Sequence, residues 1–337
     1  MLLGNIRFNY AIDQSGIRNF DGNGYPYHRY LKGSGFSFDN CSFVAKTTTL
    51  DPRRGPAYCE GGNMPLRSDG MTPRELKPKC IFVSPRSFLL GVALNAVGLS
   101  GPGLTELLHK GIWHKLEKPF QISVMSVAGT MHERLQELRD MVWMIRQFRP
   151  FQVPFGIQLN ISCPNVEHED QIIAEKVRET KASAAILHSL RAPVIVKINT
   201  NFPIIAAFEI SQDDNCAGFC SSNTIPWLEI PEADRVKMFG TTLSPLNHIK
   251  GAGGGGLSGA YLLPQVVKWV REARVAGIKK PIIAGGGILK PRDVNRLAEA
   301  GASAVAIGSV AFLRPWRVQR IINRANKLGR AGAFYER

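Results

Sequence analysis

The segment PIIAGGGILKPRDVNRLAEAGASAVAIGS, residues 281–309, decides the fold. Its opening run, Pro281–Ala284, is short and apolar and reads as a buried strand. Pro291–Ala300 reads as a helix and Ala304–Ile307 as a second buried strand. Strand, helix and strand in that order make a right-handed unit with parallel strands. Each strand runs into small residues, Gly285-Gly286-Gly287 after the first and Gly308-Ser309 after the second. Glycines between strand and helix let backbone N–H groups approach an anion, and the helix start adds a favourable dipole. The plainer use of such glycines is a tight turn. Neither loop matches a Walker or a G-x-G-x-x-G pattern.

The alternation continues upstream. Pro119–Val127 reads as a strand, and Thr130–Phe148 as a helix with Leu135, Leu138, Val142 and Ile145 on one face. Phe155–Ile161 is a strand, about 167–190 a helix, Pro193–Ile198 a strand apolar on both faces, and Cys216–Ser222 another strand. Pro264–Ala276 and Pro315–Lys327 read as helices. Polar or glycine-rich clusters follow several strands: SCPN, SSNT, GGG and GS. Repetition over so many units favours a closed α/β (β/α)8 barrel of TIM type, in which all these clusters fall on one catalytic rim. The 337 residues are read as one domain, 1–337, with loop insertions at that rim. The irregular stretches are the first 115 residues, with aromatic, Pro and Gly residues between Asn19 and Phe38, and the weakly patterned 226–253. Phe88–Leu94 reads as a further apolar run leading to Asn95.

Hydrophobic residues at 44% and charged residues at 20% allow a large core. The net charge of +15 is compatible with nucleic acid, an anionic substrate or only a solvated surface; it is spread along the chain without a long Lys/Arg block, and no nucleic-acid partner is expected. Arg317, Arg320, Arg324 and Lys327 recur at helical spacing opposite Val318, Ile321 and Ile322, as the wet face of a last helix. The six cysteines form no C-x-x-C pair and no metal framework, which fits a reducing, cytoplasmic setting and no metal. No signal peptide is legible, and no apolar stretch reaches the roughly 18 residues of a membrane span.

Several residues at strand ends carry chemistry. Lys46 ends the run Ser42–Ala45 and Lys197 lies near the end of PVIVKI. Either ammonium can enter the barrel mouth and stabilise an anion, or snorkel to water. Asn95, Asn160, Asn165 and Asn223, with Thr224, sit at strand ends. A carboxamide both donates and accepts, which suits a flat heterocycle, although a lone Asn is more often a turn residue. Cys163, flanked by Ser162, Pro164 and Asn165, is the cysteine set in a polar rim cluster, where a thiol can act as base or nucleophile. The cluster Gly253–Gly259 is a linker or a backbone passing close to a ligand.

With these motifs assembled, the chain resembles the dihydroorotate dehydrogenase family. The likeness lies in N-I-S-C-P-N (160–165), S-N-T (222–224), G-G-L-S-G (255–259), A-G-G-G-I (284–288) and G-A-S-A-V-A-I-G-S (301–309). Earlier, Q-S-G (14–16), A-K-T-T-T-L (45–50) and N-A-V-G-L (95–99) resemble the family's opening elements. The resemblance implies FMN on a barrel and oxidation of dihydroorotate to orotate in pyrimidine biosynthesis. It implies that Cys163 is the base for the C5 proton while hydride leaves C6 for the flavin N5. It implies substrate contacts from Lys46, Asn95, Gly98, Leu99, Asn160, Asn165, Asn223 and Thr224. Flavin contacts are implied for Ser15, Gly16, Lys46, Thr47, Ser123, Asn160, Lys197, Ser258, Gly259, Gly286, Gly287, Gly308 and Ser309. A thiol base with an ordinary pKa of about 8.5 predicts activity rising toward alkaline pH unless its site lowers that value.

The chain departs from the pattern at Ser100-Gly101, where the family often has Asn, and over Ile17–Asn40 and 226–253. The tRNA-dihydrouridine synthases are a competing flavin barrel with N-x-G-C-P, but they carry a helical C-terminal domain, and this chain ends 28 residues after Ser309. A relative acting on dihydropyrimidines and a catalytically silent flavin-binding protein are further readings. Cys163, Lys46 and the Asn set argue against the silent one. The expected electron acceptor is soluble, with fumarate, NAD through a partner, and quinone all open, and a homodimer is a family expectation.

Overall fold

A computed structural model describes residues 1–31, 33–54, 61–161 and 173–336. Among these, eight parallel strands form the barrel. They are β1 (Ala11–Asp13), β2 (Phe43–Val44), β3 (Phe120–Val124), β4 (Phe155–Asn160), β5 (Val194–Ile198), β6 (Cys216–Ser221), β7 (Ile282–Gly285) and β8 (Ala304–Ile307). The ladder runs β2-β3-β4-β5-β6-β7-β8-β1, parallel throughout. It closes where β1 meets the chain entering β2. Asp13 N–H donates to Ser42 O at 2.9 Å, and Ser42 N–H to Ala11 O at 3.0 Å.

The helices are α1 (Leu104–His109), α2 (Met131–Gln147), α3 (Ile173–His188), α4 (Ile204–Ser211), α5 (Leu262–Val275), α6 (Pro291–Glu299) and α7 (Val318–Arg330). Side chains alternate across each strand, and the two faces bury different chemistry. Phe120, Ile122, Val124, Phe155, Ile157 and Leu159 point outward and pack with Leu138, Met141, Val142 and Ile145 of α2. The inward residues begin apolar: Ile12, Val44, Ile195, Cys220, Ile283, Ala304 and Ala306 pack on Met1, Leu3, Ile6 and Phe8. The hairpin Leu2–Leu3 with Ile6–Arg7 thereby plugs the N-terminal mouth. Toward the other mouth the inward residues turn polar, with Ser123, Asn160 and Lys197 all buried. The sheet thus ends in a hydrophilic floor facing the C-terminal rim.

A second, antiparallel sheet caps one side of that rim. It pairs Ile225–Pro226, Gly256–Gly259, Val92–Asn95 and Ile81–Phe82 in that order.

Among the described residues, the strand and helix expectations from residue 119 onward hold to within a few residues, and the exceptions have local causes; the start expected for the helix over about 167–190 lies outside the described residues, which resume within it at Ile173–His188. Residues Phe88–Leu94 are not one run. Ser84 caps a helix over Pro85–Leu90, and Gly91 ends it at φ 73° before the strand Val92–Asn95. Stretch 226–253 contains a helix, Glu232–Phe239, packed on Pro85–Leu90. Pro264 lies within the first turn of α5, and Pro315–Arg317 forms a 3₁₀ turn ahead of α7. On α7, Val318, Ile321 and Ile322 are buried while Arg320 and Lys327 are exposed, as an amphipathic surface helix requires. No described helix is long and apolar enough to cross a membrane.

Candidate functional site

The C-terminal ends of four strands deliver one chain of polar contacts. Lys197, from β5, donates from Nζ to Ser15 Oγ at 3.0 Å. Ser15 Oγ lies 3.2 Å from Thr47 Oγ1, which lies 2.8 Å from Ser123 Oγ. Ser15 follows β1, Thr47 follows β2, and Ser123 is in β3. On the two strands flanking Lys197, Asn223 Nδ2 donates to Asn160 Oδ1 at 2.9 Å, joining the ends of β6 and β4. Thr224, half-buried, follows at the entry to the cap sheet. One layer deeper, both amide atoms of Gln121 and Oε1 of Gln158 are buried without a hydrogen-bond partner among the described residues.

Lys46 reaches the same mouth from β2. Its Nζ donates to Ser100 O, and it stands 4.8 Å from the centroid of the Phe20 ring. Asn95 ends a strand of the cap sheet, with Nδ2 3.4 Å from Gly256 O. The turn after it holds Gly98 at φ 64° and Leu99 at φ 61°. Left-handed backbone at a Leu is costly and has to be held by its surroundings. Ser100 supplies part of that hold: its Oγ accepts from the N–H groups of Asn63 (3.0 Å) and Met64 (2.9 Å) and donates to Val97 O (2.8 Å).

The glycine loops are packed too tightly for side chains. A Cβ on Gly287 (φ 76°) would lie 2.6 Å from Gly259 O, and one on Gly259 (φ 108°) would overlap Gly91 O. Gly286 has φ 117°, and a Cβ on Gly308 would overlap the Gln14 amide. Ser309 is buried beside it, at the start of Val310–Leu313. Ser258 Oγ is directed to Ala93 O at 3.4 Å, so it ties the cap sheet together. The cluster Gly253–Gly259 is therefore no linker: its end is a strand pressed against Val92–Asn95.

The structure thus gathers Ser15, Gly16, Lys46, Thr47, Ser123, Asn160, Lys197 and Asn223 at one mouth, with Gly286, Gly287, Gly308 and Ser309 at the ends of β7 and β8. Asn95, Gly98 and Leu99 stand on the cap-sheet side, linked to the mouth through the Lys46–Ser100 contact. Cys163 and Asn165 lie outside the described residues. The described cysteines are held as protonated thiols: burial raises Cys41 and Cys220, pushes Cys80 up to about 11 and Cys216 up to about 12.

Sequence reasoning missed Gln14 and Tyr25. Gln14 Nε2 donates to Ser222 O, and its N–H to Ile307 O at 2.8 Å, bridging β1, β6 and β8. Tyr25 OH donates to Gly16 O at 2.8 Å. Gln14 was within reach as the first residue of Q-S-G, whereas nothing local marks Tyr25. A cavity of about 1630 Å³ opens at the opposite, N-terminal face, lined among others by Arg7, Lys115, Arg191 and Lys280. It is separated from the polar mouth by the apolar layer beneath the barrel floor.

Comparison with known proteins gives a consistent result. A family model described as dihydroorotate dehydrogenase matches residues 68–328. The catalytic subunit of dihydroorotate dehydrogenase B (NAD(+)) from Staphylococcus carnosus is 31% identical over 240 residues, 68% of this chain and 70% of that one. Dihydroorotate dehydrogenase A (fumarate) from Lactiplantibacillus plantarum is 29% identical over 232 residues, again 68% and 70%. Among solved structures, DHODH from Eimeria tenella in complex with ferulenol aligns with TM-score 0.66 and 18% identity, covering 99% of this chain and 85% of that one. That likeness is one of fold.

Proposed function

The chain belongs to the dihydroorotate dehydrogenase family of oxidoreductases, and from that premise we propose that it oxidises dihydroorotate to orotate with FMN, using Cys163 as the base. The observation that carries the proposal is the buried chain Lys197–Ser15–Thr47–Ser123, in which Lys197 reaches across the mouth from β5 to the neighbouring ends of β1, β2 and β3. A cation and a run of hydroxyls suit a ring edge that gains negative charge on reduction.

The residues fit the cofactor. Lys197, Ser15, Thr47 and Ser123 would hold the ring edge, with Gly16 and Asn160 beside it. Gly286, Gly287, Gly308 and Ser309, with Ser258 and Gly259, would hold the ribityl chain and phosphate. Backbone N–H groups can approach closely where no Cβ intervenes. The unpaired amide atoms of Gln121 and Gln158 below the mouth favour a polar occupant.

Bound FMN supplies the acceptor for the hydride that leaves C6. The protein's own part is to hold the substrate and take the proton. Asn160 and Asn223, already paired, present amide groups to a ring with alternating C=O and N–H, joined by Asn95, Asn165 and Thr224. The backbone of Gly98 and Leu99 and the ammonium of Lys46 meet the substrate's carboxylate side. The Cys163 thiolate takes the C5 proton, the two C–H bonds break, and the C5=C6 bond forms. Positioning base and acceptor on one C–C bond supplies much of the rate. The whole chain, 1–337, acts as one FMN-binding domain with a soluble acceptor in the cytoplasm.

Replacing Cys163 tests the reading. Cys163→Ala is expected to keep bound FMN and lose reduction by dihydroorotate by a factor of about 100 or more. Undiminished reduction would exclude Cys163 as base. Fumarate and NAD tested separately as oxidants of the reduced protein identify the acceptor, since relatives named for each lie at similar identity.

A further inference from the structure

Residues 17–40 depart from the family's opening pattern, and the structure shows what part of them does at the mouth. Asn19 O accepts the backbone N–H of Lys46 at 2.9 Å. The next residue, Phe20, turns its ring under the Lys46 ammonium at 4.8 Å. Two consecutive residues of the insertion therefore hold both ends of one lysine. They are themselves fixed. Asn19 sits at φ 62°, is 3% exposed, and donates from Nδ2 to Met71 O at 3.2 Å. Phe20 is fully buried, and its carbonyl accepts Trp113 Nε1–H at 2.9 Å. The ring edge is seated against Gly101, where a Cβ would lie 2.6 Å from Phe20 Cζ.

The physical consequence is specific. An aromatic face carries negative quadrupole, and a desolvated ammonium over it is attracted more strongly than one in water. The contact keeps a charged lysine inside a mouth where a flexible four-carbon stem would otherwise sample many rotamers. Ser100 O then takes one of the three ammonium protons, which sets the azimuth of the group. Gly101 completes the arrangement. Ser100 receives the ammonium and Gly101, the residue after it, admits the ring.

We infer that Asn19 and Phe20 are positioning residues for Lys46: the aromatic insertion aims the lysine at the substrate through a backbone hydrogen bond and the face of Phe20. This rests on the reading of the mouth as a dihydroorotate site. Phe20 touches no reacting atom and acts through Lys46.

The test uses the full-length, FMN-loaded protein with Phe20 replaced in turn by mono-, di- and trifluorinated phenylalanine. Fluorination keeps the ring's shape and drains its quadrupole. Orotate dissociation constants and kcat/KM for dihydroorotate are measured, with thermal unfolding as a control for folding. Both should worsen stepwise with each fluorine, to about tenfold at the trifluoro ring, while the protein still unfolds cooperatively with a melting temperature lowered by no more than a few degrees. In a Lys46→Met background the series should be flat. Phe20→Leu should match or exceed the trifluoro effect. Orotate binding indifferent to fluorination, or the same slope without Lys46, overturns the positioning role alone. Failure of the unmodified FMN-loaded protein to bind orotate sinks the substrate assignment and this inference with it.

Discussion

Lys197 and Lys46 enter the same barrel mouth from opposite kinds of structure. Lys197 is the fourth residue of β5, a five-residue strand in ladder with β4 and β6. Its place follows from strand register alone. Lys46 stands two residues beyond β2, which is two residues long. Its place follows from Asn19, Phe20 and Ser100, all distant in sequence or in other loops. The same division runs through the molecule. From residue 119 onward, strands and helices alternate and local pattern sets geometry. Before it, and in the cap sheet, side chains bonded to remote backbone set geometry. The first region is defined by periodicity, the second by tertiary contact.

The largest expected effect lies at the seam between the two. Gly259 joins the cap sheet where its missing side chain makes room for Gly91 O. Gly259→Ala combines overlap with backbone and a φ of 108° that an L side chain resists. It should destabilise by about 4 kcal/mol or fail to accumulate, judged by urea unfolding. Near-normal stability would show that the seam can relax.

The irregular region carries a pH dependence of its own. His28 is buried among Tyr25, Tyr27, Phe36 and Phe38. Burial, helped by the charge of Arg18, lowers its pKa from 6.5 to about 4. The folded state therefore binds this proton less readily than the unfolded chain. Its contribution is complete above pH 6.5 and is lost as pH falls toward 4, by about 3 kcal/mol in all. His28→Phe should flatten this part of the stability profile between those limits. An unchanged profile would remove His28 as its source.

Trp113→Phe sharpens the comparison in the same region. It leaves the buried Phe20 carbonyl without its 2.9 Å donor and opens a small void. A loss of about 2 kcal/mol is expected. The regular region should respond less to losing a purely local signal. Thr130 caps α2 through a capping box with Glu133. Thr130→Ala should cost about 1 kcal/mol by the same urea midpoint. If it cost more than Trp113→Phe, the division between the regions would be misdrawn.

What the sequence disclosed follows this division. The quoted segment 281–309 gave β7, α6 and β8 to within a residue, because a buried parallel strand and an amphipathic helix are both periodic. The two shortest barrel strands, β1 and β2, carry too few residues to show a period. Pro85–Leu90 was hidden in a run extending to Leu94, since six residues make less than two helical turns. The cap sheet was invisible for another reason: Asn95 pairs with Gly256, which lies 161 residues further along the chain. At the site, Lys46, Lys197, Asn160 and Asn223 were recognisable by residue type at strand ends. Their connections were not, because the chain from Lys197 to Ser123 exists only once β5, β1, β2 and β3 close on one another.

The central claim is that this mouth holds FMN and passes it the electrons of dihydroorotate. The direct measurement is anaerobic mixing of the FMN-loaded protein with dihydroorotate, with dihydrouracil and a dihydrouridine-containing tRNA in parallel, while the flavin absorbance is followed. The account predicts that dihydroorotate bleaches the flavin within the mixing experiment and that the other two leave it oxidised. A protein that takes up no FMN, or a flavin bleached by dihydrouracil or the tRNA and untouched by dihydroorotate, would contradict it.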